Sequence, residues 1–297
     1  MTLRIGTRRS ALAMAQSRGI AEALEAFGVS TELVPIVTSG DRGATAAASP
    51  AGLKGLWVEE IVRALREGEI DLAVHSAKDL PAEDEDGIAL AVVPERASPL
   101  DVLVTREGEL RAGAVVGTSS LRRQAQVFRW RPDVLLKDLR GNVDTRLRKL
   151  AQGEVDALVL AAAGLLRLGI VPEHAAPMSI EEMIPAPGQG CLGVQARSDD
   201  DATRSAVAPL EHPDSRVALE AERELMRRLG GGCALPLGAF AEVRDGRVHL
   251  VAAVFTPEGA REARAEVDAA TGAETVELAE RELRALGADE ILRAVRP

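Results

Sequence analysis

Residues 184–196, IPAPGQGCLGVQA, decide how the chain is organised. A turn rich in Pro and Gly (Pro185, Pro187, Gly188, Gly190) leads into Cys191-Leu192-Gly193-Val194-Gln195-Ala196, a short run that reads as a strand. Upstream of it, two α/β units have already run their course. In the first, LRIGTR (3–8) is a strand and is followed by a helix with Ile20, Ala23, Leu24 and Phe27 at helical spacing. LVPIVT (33–38) is a strand, WVEEIVRALREG (57–68) a helix turning Ile61 and Leu65 inward, and IDLAV (70–74) and GIALAVVP (87–94) are further strands. The pattern restarts with the strands DVLVTR (101–106), AVVGTSS (114–120), DVLLKDLR (133–140) and DALVLAAAGL (156–165), with helices after Ser120 and Asn142. Strands alternating with helices imply mixed, mostly parallel sheets. A strand arriving after the second unit adds back to the first sheet, and two such crossings make a hinged body of two lobes.

From Gly238 the character becomes antiparallel. GAFAEV (238–243), RVHLVAAVF (247–255) and AREARAEV (260–267) are joined by the turn signals Asp245-Gly246 and Pro257-Glu258-Gly259. Thr271 and Glu274 form a capping-box pattern ahead of a helix with Val276, Ala279, Leu283 and Leu286 on one face. The fold class expected is α/β, two lobes with mixed sheets, plus a small C-terminal α+β domain built on a three-stranded antiparallel sheet. The domain boundaries expected are 1–96 with 190–209, 97–189, and 210–297.

Composition narrows the function. With 297 residues, 46% hydrophobic and 28% charged, the chain can bury full cores without staples. Cys191 and Cys233 are too few for a disulfide framework, and His75, His174, His212 and His249 lack metal-ligand spacing, so no metal is expected. The start, MTLRIGTRRSALAMAQ, has no signal-peptide core, and no apolar run of about 18 residues occurs. A cytoplasmic protein without membrane contact is expected. A net charge of −10 argues against nucleic acid as partner. Residues 122–149 nevertheless hold nine Lys/Arg against three Asp, the composition of a pocket for a small polyanion.

Three strand ends carry the same chemistry. In GTSSLRRQ (117–124), Thr118, Ser119 and Ser120 lead into a helix bearing Arg122 and Arg123, so backbone N–H groups, hydroxyls and guanidiniums together make an anion cradle. The plain alternative is a Ser cap with two surface arginines. DLRGNVDTRL (138–147) repeats the arrangement with Arg140, Gly141 and Arg146, and Thr7-Arg8 ahead of Ser10 repeats it at the N-terminus. Such strand ends line the ligand crevice of open α/β sheets. HSAKDLP (75–81) places His75, Ser76, Lys78 and Asp79 just past a strand, where an acid can act as proton donor or cation stabiliser, or simply shape a turn. GGGCALP (230–236) sets Cys233 on an uncluttered backbone, while Cys191 reads as a small buried hydrophobe.

TRRSALA (7–13), GLKGLW (52–57), HSAKDLP, GTSSLRRQ, LRGNVDTRL, LAAAGLLRLG (160–169), PAPGQGCLG (185–193) and GGCALPLG (231–238), in this order, resemble the porphobilinogen deaminase family. The resemblance implies two periplasmic-binding-protein-like lobes, a small third domain, a monomer, and a dipyrromethane cofactor held through a thioether to Cys233. It implies porphobilinogen as the substrate, four units of which are joined head to tail before water releases hydroxymethylbilane. Asp79 matches the family's catalytic aspartate. Arg8, Arg122, Arg123, Arg140, Arg146 and Arg167 match its carboxylate-binding arginines, and Ser10, Lys54, Ser76, Lys78, Thr118, Ser120 and Gln189 match further polar contacts. Ser119 and Gly141 fall within the same binding motifs. Leu53 and Trp57 stand where the family commonly has Gly and Phe. A two-lobe solute-binding or ligand-sensing protein for a carboxylate shares the fold and is the alternative reading.

Overall fold

The computed structural model describes residues 2–36, 59–83, 85–230 and 235–295. The first sheet has the order β2-β1-β3-β10-β4, from β1 (Thr2–Arg8), β2 (Ser30–Ile36), β3 (Leu72–Ser76), β4 (Ile88–Val92) and β10 (Leu192–Arg197). β1 runs parallel to β2 and β3, whereas β10 is inserted antiparallel between β3 and β4, with Leu192 opposite Ser76 and Gly193 opposite His75. The strand after the second unit therefore does return to the first sheet.

Alternation along the strands sorts side chains to two faces. Leu3, Ile5, Leu72 and Val74 pack with Ile20 and Leu24 of α1 (Ala11–Ala26), while Ile70 and Ala73 pack with Ile61 and Leu65 of the helix over 59–66, called α2. Phe27 does not join this core: α1 ends at Ala26, Gly28 turns the chain away at φ 79°, and Phe27 is exposed.

The second sheet repeats the plan in the order β7-β6-β8-β5-β9, from β5 (Asp101–Thr105), β6 (Val115–Gly117), β7 (Leu135–Lys137), β8 (Ala157–Ala161) and β9 (Ala175–Pro177). Here β6 runs parallel to β7 and β8, and β5 is the antiparallel insert. Its helices are α3 (Leu121–Trp130), α4 (Val143–Ala151) and α5 (Ala162–Arg167). In each lobe the inserted strand follows a crossing segment, so both crossings enter next to the third parallel strand.

The remaining chain holds α6 (Asp201–Val207), α7 (Pro213–Arg228), β11 (Leu237–Arg244), β12 (Arg247–Phe255), β13 (Glu262–Ala269), α8 (Gly272–Ala285) and α9 (Ala288–Val295). Leu250, Ala252 and Val254 of β12 face α7, α8 and α9. Val251, Ala253 and Phe255 face Ala125 of α3 and Ile184. The antiparallel sheet is thus wedged between its own helices and the helix that carries Arg122 and Arg123. Thr271 Oγ1 accepts the Glu274 N–H at 3.3 Å, as the capping pattern predicts, but Leu286 lies beyond the end of α8 and is exposed.

Candidate active site

Carboxyl ends of parallel strands in both lobes supply the site, as open α/β sheets require. β1 ends at Arg8; β3 runs into a 3₁₀ turn, Ala77–Asp79, holding Lys78 and Asp79; β6 ends at Gly117 ahead of Thr118–Ser120; β8 runs into α5 and Arg167. Across the cleft, α1 meets α5, with Leu12 against Gly164.

The arginine pair is held by one buried carboxylate and two backbone carbonyls. Arg122 and Arg123 are buried, so the surface-arginine alternative fails. Arg122 Nη1 donates to Asp101 Oδ2 at 2.8 Å and to the Ile184 carbonyl at 2.6 Å. Arg123 donates to Asp101 Oδ1 through Nε at 3.0 Å and Nη2 at 2.6 Å, and through Nη1 to the Val159 carbonyl at 2.9 Å. Burial pushes the Asp101 carboxyl up, but the two guanidiniums outweigh it and hold the group well below the usual carboxylate range. Arg146, whose Nε donates to the Gly141 carbonyl at 2.8 Å, is pushed down to about 10, first by burial and then by repulsion from Arg123. Ser120 and Asn142 stand at the N-caps of α3 and α4 without side-chain capping bonds, and Thr118 Oγ1 accepts the Ser120 N–H at 3.2 Å.

In the first lobe, Ser10 caps α1 by accepting the Ala13 N–H at 3.3 Å, and Ser76 Oγ accepts Gln16 Nε2 at 2.7 Å. Lys78 Nζ donates to Gln189 Oε1 at 3.2 Å; Gln189 Nε2 in turn donates to the Pro99 carbonyl at 2.8 Å. Arg167 Nη2 reaches the Gly190 carbonyl at 2.7 Å. The turn carrying Asp79 is therefore tied through Gln189 to both crossing segments, and α5 is tied to the second of them through Gly190. His75 is buried, its Nε2 has no hydrogen-bond partner among the described residues, and its pKa falls to about 4, driven first by burial, with Asp79 pulling up and Arg8 pushing down.

Some expected residues stand apart. Arg140 is exposed and pairs with Asp138 at 3.3 Å, and Arg129 and Arg131 of the basic stretch pair with Glu262 and Asp133. Lys54, Trp57 and Cys233 lie outside the described residues. Sequence reasoning did not single out Asp101, Gln16, Arg96 or Glu222. An acid opening an apolar strand after Ser-Pro-Leu looks like a loop residue, so Asp101 gave no local signal.

Two guanidiniums share one carboxylate here, and the buried Arg122 Nε has no hydrogen-bond partner among the described residues. A site of that composition fits an acidic ligand. Residues 3–205 match the model described as porphobilinogen deaminase, dipyromethane cofactor binding domain, and residues 217–284 match the porphobilinogen deaminase C-terminal domain. The chain belongs to the porphobilinogen deaminase family. A porphobilinogen deaminase of Syntrophotalea carbinolica is 45% identical over 99% of this chain and 96% of its own length. One of Brevibacillus brevis is 43% identical over 86% of this chain and 85% of its own. The solved methionine-binding protein MetQ is similar at TM-score 0.44 and 13% identity over 70% of this chain and 89% of that one, too loose a likeness to bear on a ligand. As a porphobilinogen deaminase the chain is a transferase of tetrapyrrole biosynthesis with a dipyrromethane cofactor: it deaminates four porphobilinogens, joins them head to tail and releases hydroxymethylbilane by hydrolysis. Among the described residues no helix is long and apolar enough to cross a membrane, and no cluster of His, Cys, Asp or Glu could hold a metal.

Proposed function

We propose that Asp79 is the electrostatic and proton-transfer centre of this reaction, that Cys233 carries the cofactor through a thioether, and that arginines from both lobes hold the acetate and propionate groups. The observation that carries the reading is the placement of Asp79 in a short turn at the end of β3, beside Lys78 and within electrostatic reach of His75. When bound, the dipyrromethane supplies the pyrrole carbon to which the first porphobilinogen is joined. The Asp79 carboxylate accepts pyrrole N–H bonds and stabilises the positive charge that develops on porphobilinogen as ammonia leaves. It also takes up and returns protons during deamination and coupling. Arg8 in the first lobe, and Arg122, Arg123, Arg146 and Arg167 in the second, make charge-assisted bonds to carboxylates, and Thr118, Ser119, Ser120 and Ser76 add hydroxyl contacts. Arg140, Gly141 and Lys54 complete the polar set in this reading, and Ser10, Lys78 and Gln189 hold the loops in register.

The division proposed is 1–96 with 190–209, 97–189, and 210–297, and the pairing of β10 with β3 and β4 supports assigning its segment to the first lobe. A cytoplasmic monomer is the state that the family resemblance and the composition favour.

Single-turnover ammonia release from the cofactor-loaded enzyme tests the central claim. Asp79→Asn keeps size and hydrogen bonding but removes the charge, and is expected to slow release by about 10²–10³ or more at an unchanged melting temperature. Asp79→Glu is expected to keep part of the rate. Near-normal release by Asp79→Asn, or a mere loss of melting temperature, removes Asp79 from the chemistry and leaves it a turn residue.

A further inference from the structure

Asp101 is the first residue of β5, where the first crossing segment enters the second lobe, and it is fully buried. From its bonds to both guanidiniums we propose that Asp101 is a positioning residue for cofactor loading: it fixes Arg122 and Arg123 around one carboxylate so that their remaining N–H groups present a preset face to the acidic side chains of the dipyrromethane. The inference rests on the reading that these two arginines hold cofactor carboxylates.

Three observations carry it. Each guanidinium has five N–H donors, and Arg122 spends a single nitrogen, Nη1, on both Asp101 and Ile184. Its Nε is buried without a hydrogen-bond partner among the described residues, so donors are left over after the clamp is made. Next, a counter-charge alone needs one arginine, yet one carboxylate here serves two, and Lys78 and Arg146 add positive charge nearby. Finally, the Ile184 and Val159 carbonyls pin the same guanidiniums from two other segments. A free arginine side chain has many rotamers, and a ligand that must fix them loses affinity. Fixing it before the ligand arrives removes that cost from binding.

Loading is followed by intact mass: full-length chain purified without the adduct is incubated with porphobilinogen, and the fraction that gains two linked pyrroles is measured over time. Arg122→Gln and Arg123→Gln test the underlying reading. Both are expected to slow loading, and parent-like loading in both overturns that reading together with the inference. Where they do slow it, Asp101→Asn is expected to load about tenfold or more slowly as well, and parent-like loading by Asp101→Asn overturns the inference alone. The paired variant Asp101→Asn/Arg123→Gln covers the case in which Asp101→Asn does not fold, because it keeps the parent's single excess positive charge. It is expected to load about tenfold more slowly than Arg123→Gln, in which Asp101 still clamps Arg122. Charge alone favours the opposite order, since the paired variant is the more positive. Equal loading by these two variants, or faster loading by the pair, reduces Asp101 to a counter-charge and overturns the inference.

Discussion

Glu222, on α7, is fully buried and receives Arg96 Nη1 at 2.6 Å, so a residue of the C-terminal helices anchors the first crossing segment between the lobes. The same carboxylate accepts the Gly188 N–H at 2.6 Å and the Ala241 N–H at 2.7 Å, joining the second crossing segment and β11 to the node. Arg96 adds bonds to the Gln189 carbonyl at 2.9 Å and the Ala241 carbonyl at 3.2 Å. Glu222→Ala strands a buried guanidinium and two backbone donors, and is expected to cost about 3–5 kcal/mol in urea denaturation. Glu222→Gln keeps part of the network and should cost less. A loss under about 1 kcal/mol for Glu222→Ala shows that water or repacking replaces the node.

The two crossing segments also touch through their backbones. Gly190 sits at φ 90°, and a Cβ there falls 2.3 Å from the Ala97 carbonyl oxygen and 3.0 Å from that of Ser98. Gly169 has φ 64° with open space around it. Gly169→Ala therefore pays only for the left-handed backbone, about 1 kcal/mol. Gly190→Ala adds a clash with backbone and is expected to cost at least about 2 kcal/mol more. Equal destabilisation of the two variants in denaturant melts removes the close approach from the argument.

What the sequence made legible was mostly local. The turns after β1, β3 and β6 carry Gly, Ser, Thr and Lys-Asp at strand ends, so the crevice could be outlined before any partner was known. Periodicity failed where a helix stops: Phe27 and Leu286 continue an apolar pattern, but Gly28 and Gly287 end the helices just beyond them. The polar residues that order the site were hidden because their partners are distant in sequence. Gln16 bonds Ser76 sixty residues away, Arg96 finds Glu222 across 126 residues, and Asp101 meets its arginines only when β5 inserts beside β8.

The two cysteines separate by environment. Cys191 is 1% exposed, and burial pushes its thiol up to about 12 against the pull of Arg96. At neutral pH it holds almost no thiolate and is a poor nucleophile. Cys191→Ser is expected to leave the two-pyrrole adduct intact, whereas Cys233→Ser abolishes it, since a hydroxyl is a far weaker nucleophile than a thiolate. Intact and peptide mass spectra decide the matter, and an adduct mapped to Cys191 reverses the assignment.

His75 sets a pH dependence whose sign is fixed by its burial. Its pKa is about 4 in the folded protein, lowered first by burial, with Asp79 opposing and Arg8 assisting, and about 6.5 in an unfolded chain. Between these values the unfolded state binds the extra proton, so stability falls as pH drops below about 6.5 and its contribution is complete above that. The shift corresponds to about 3 kcal/mol in total, of which about 2 kcal/mol should be lost between pH 7 and pH 5. Urea denaturation of the parent and of His75→Gln over that range isolates the contribution from that of other titrating groups. The parent curve should be steeper than the variant's by about 2 kcal/mol across the two pH units. Parallel curves show that the folded protein protonates His75 as readily as the unfolded chain does, so that burial does not hold the ring neutral.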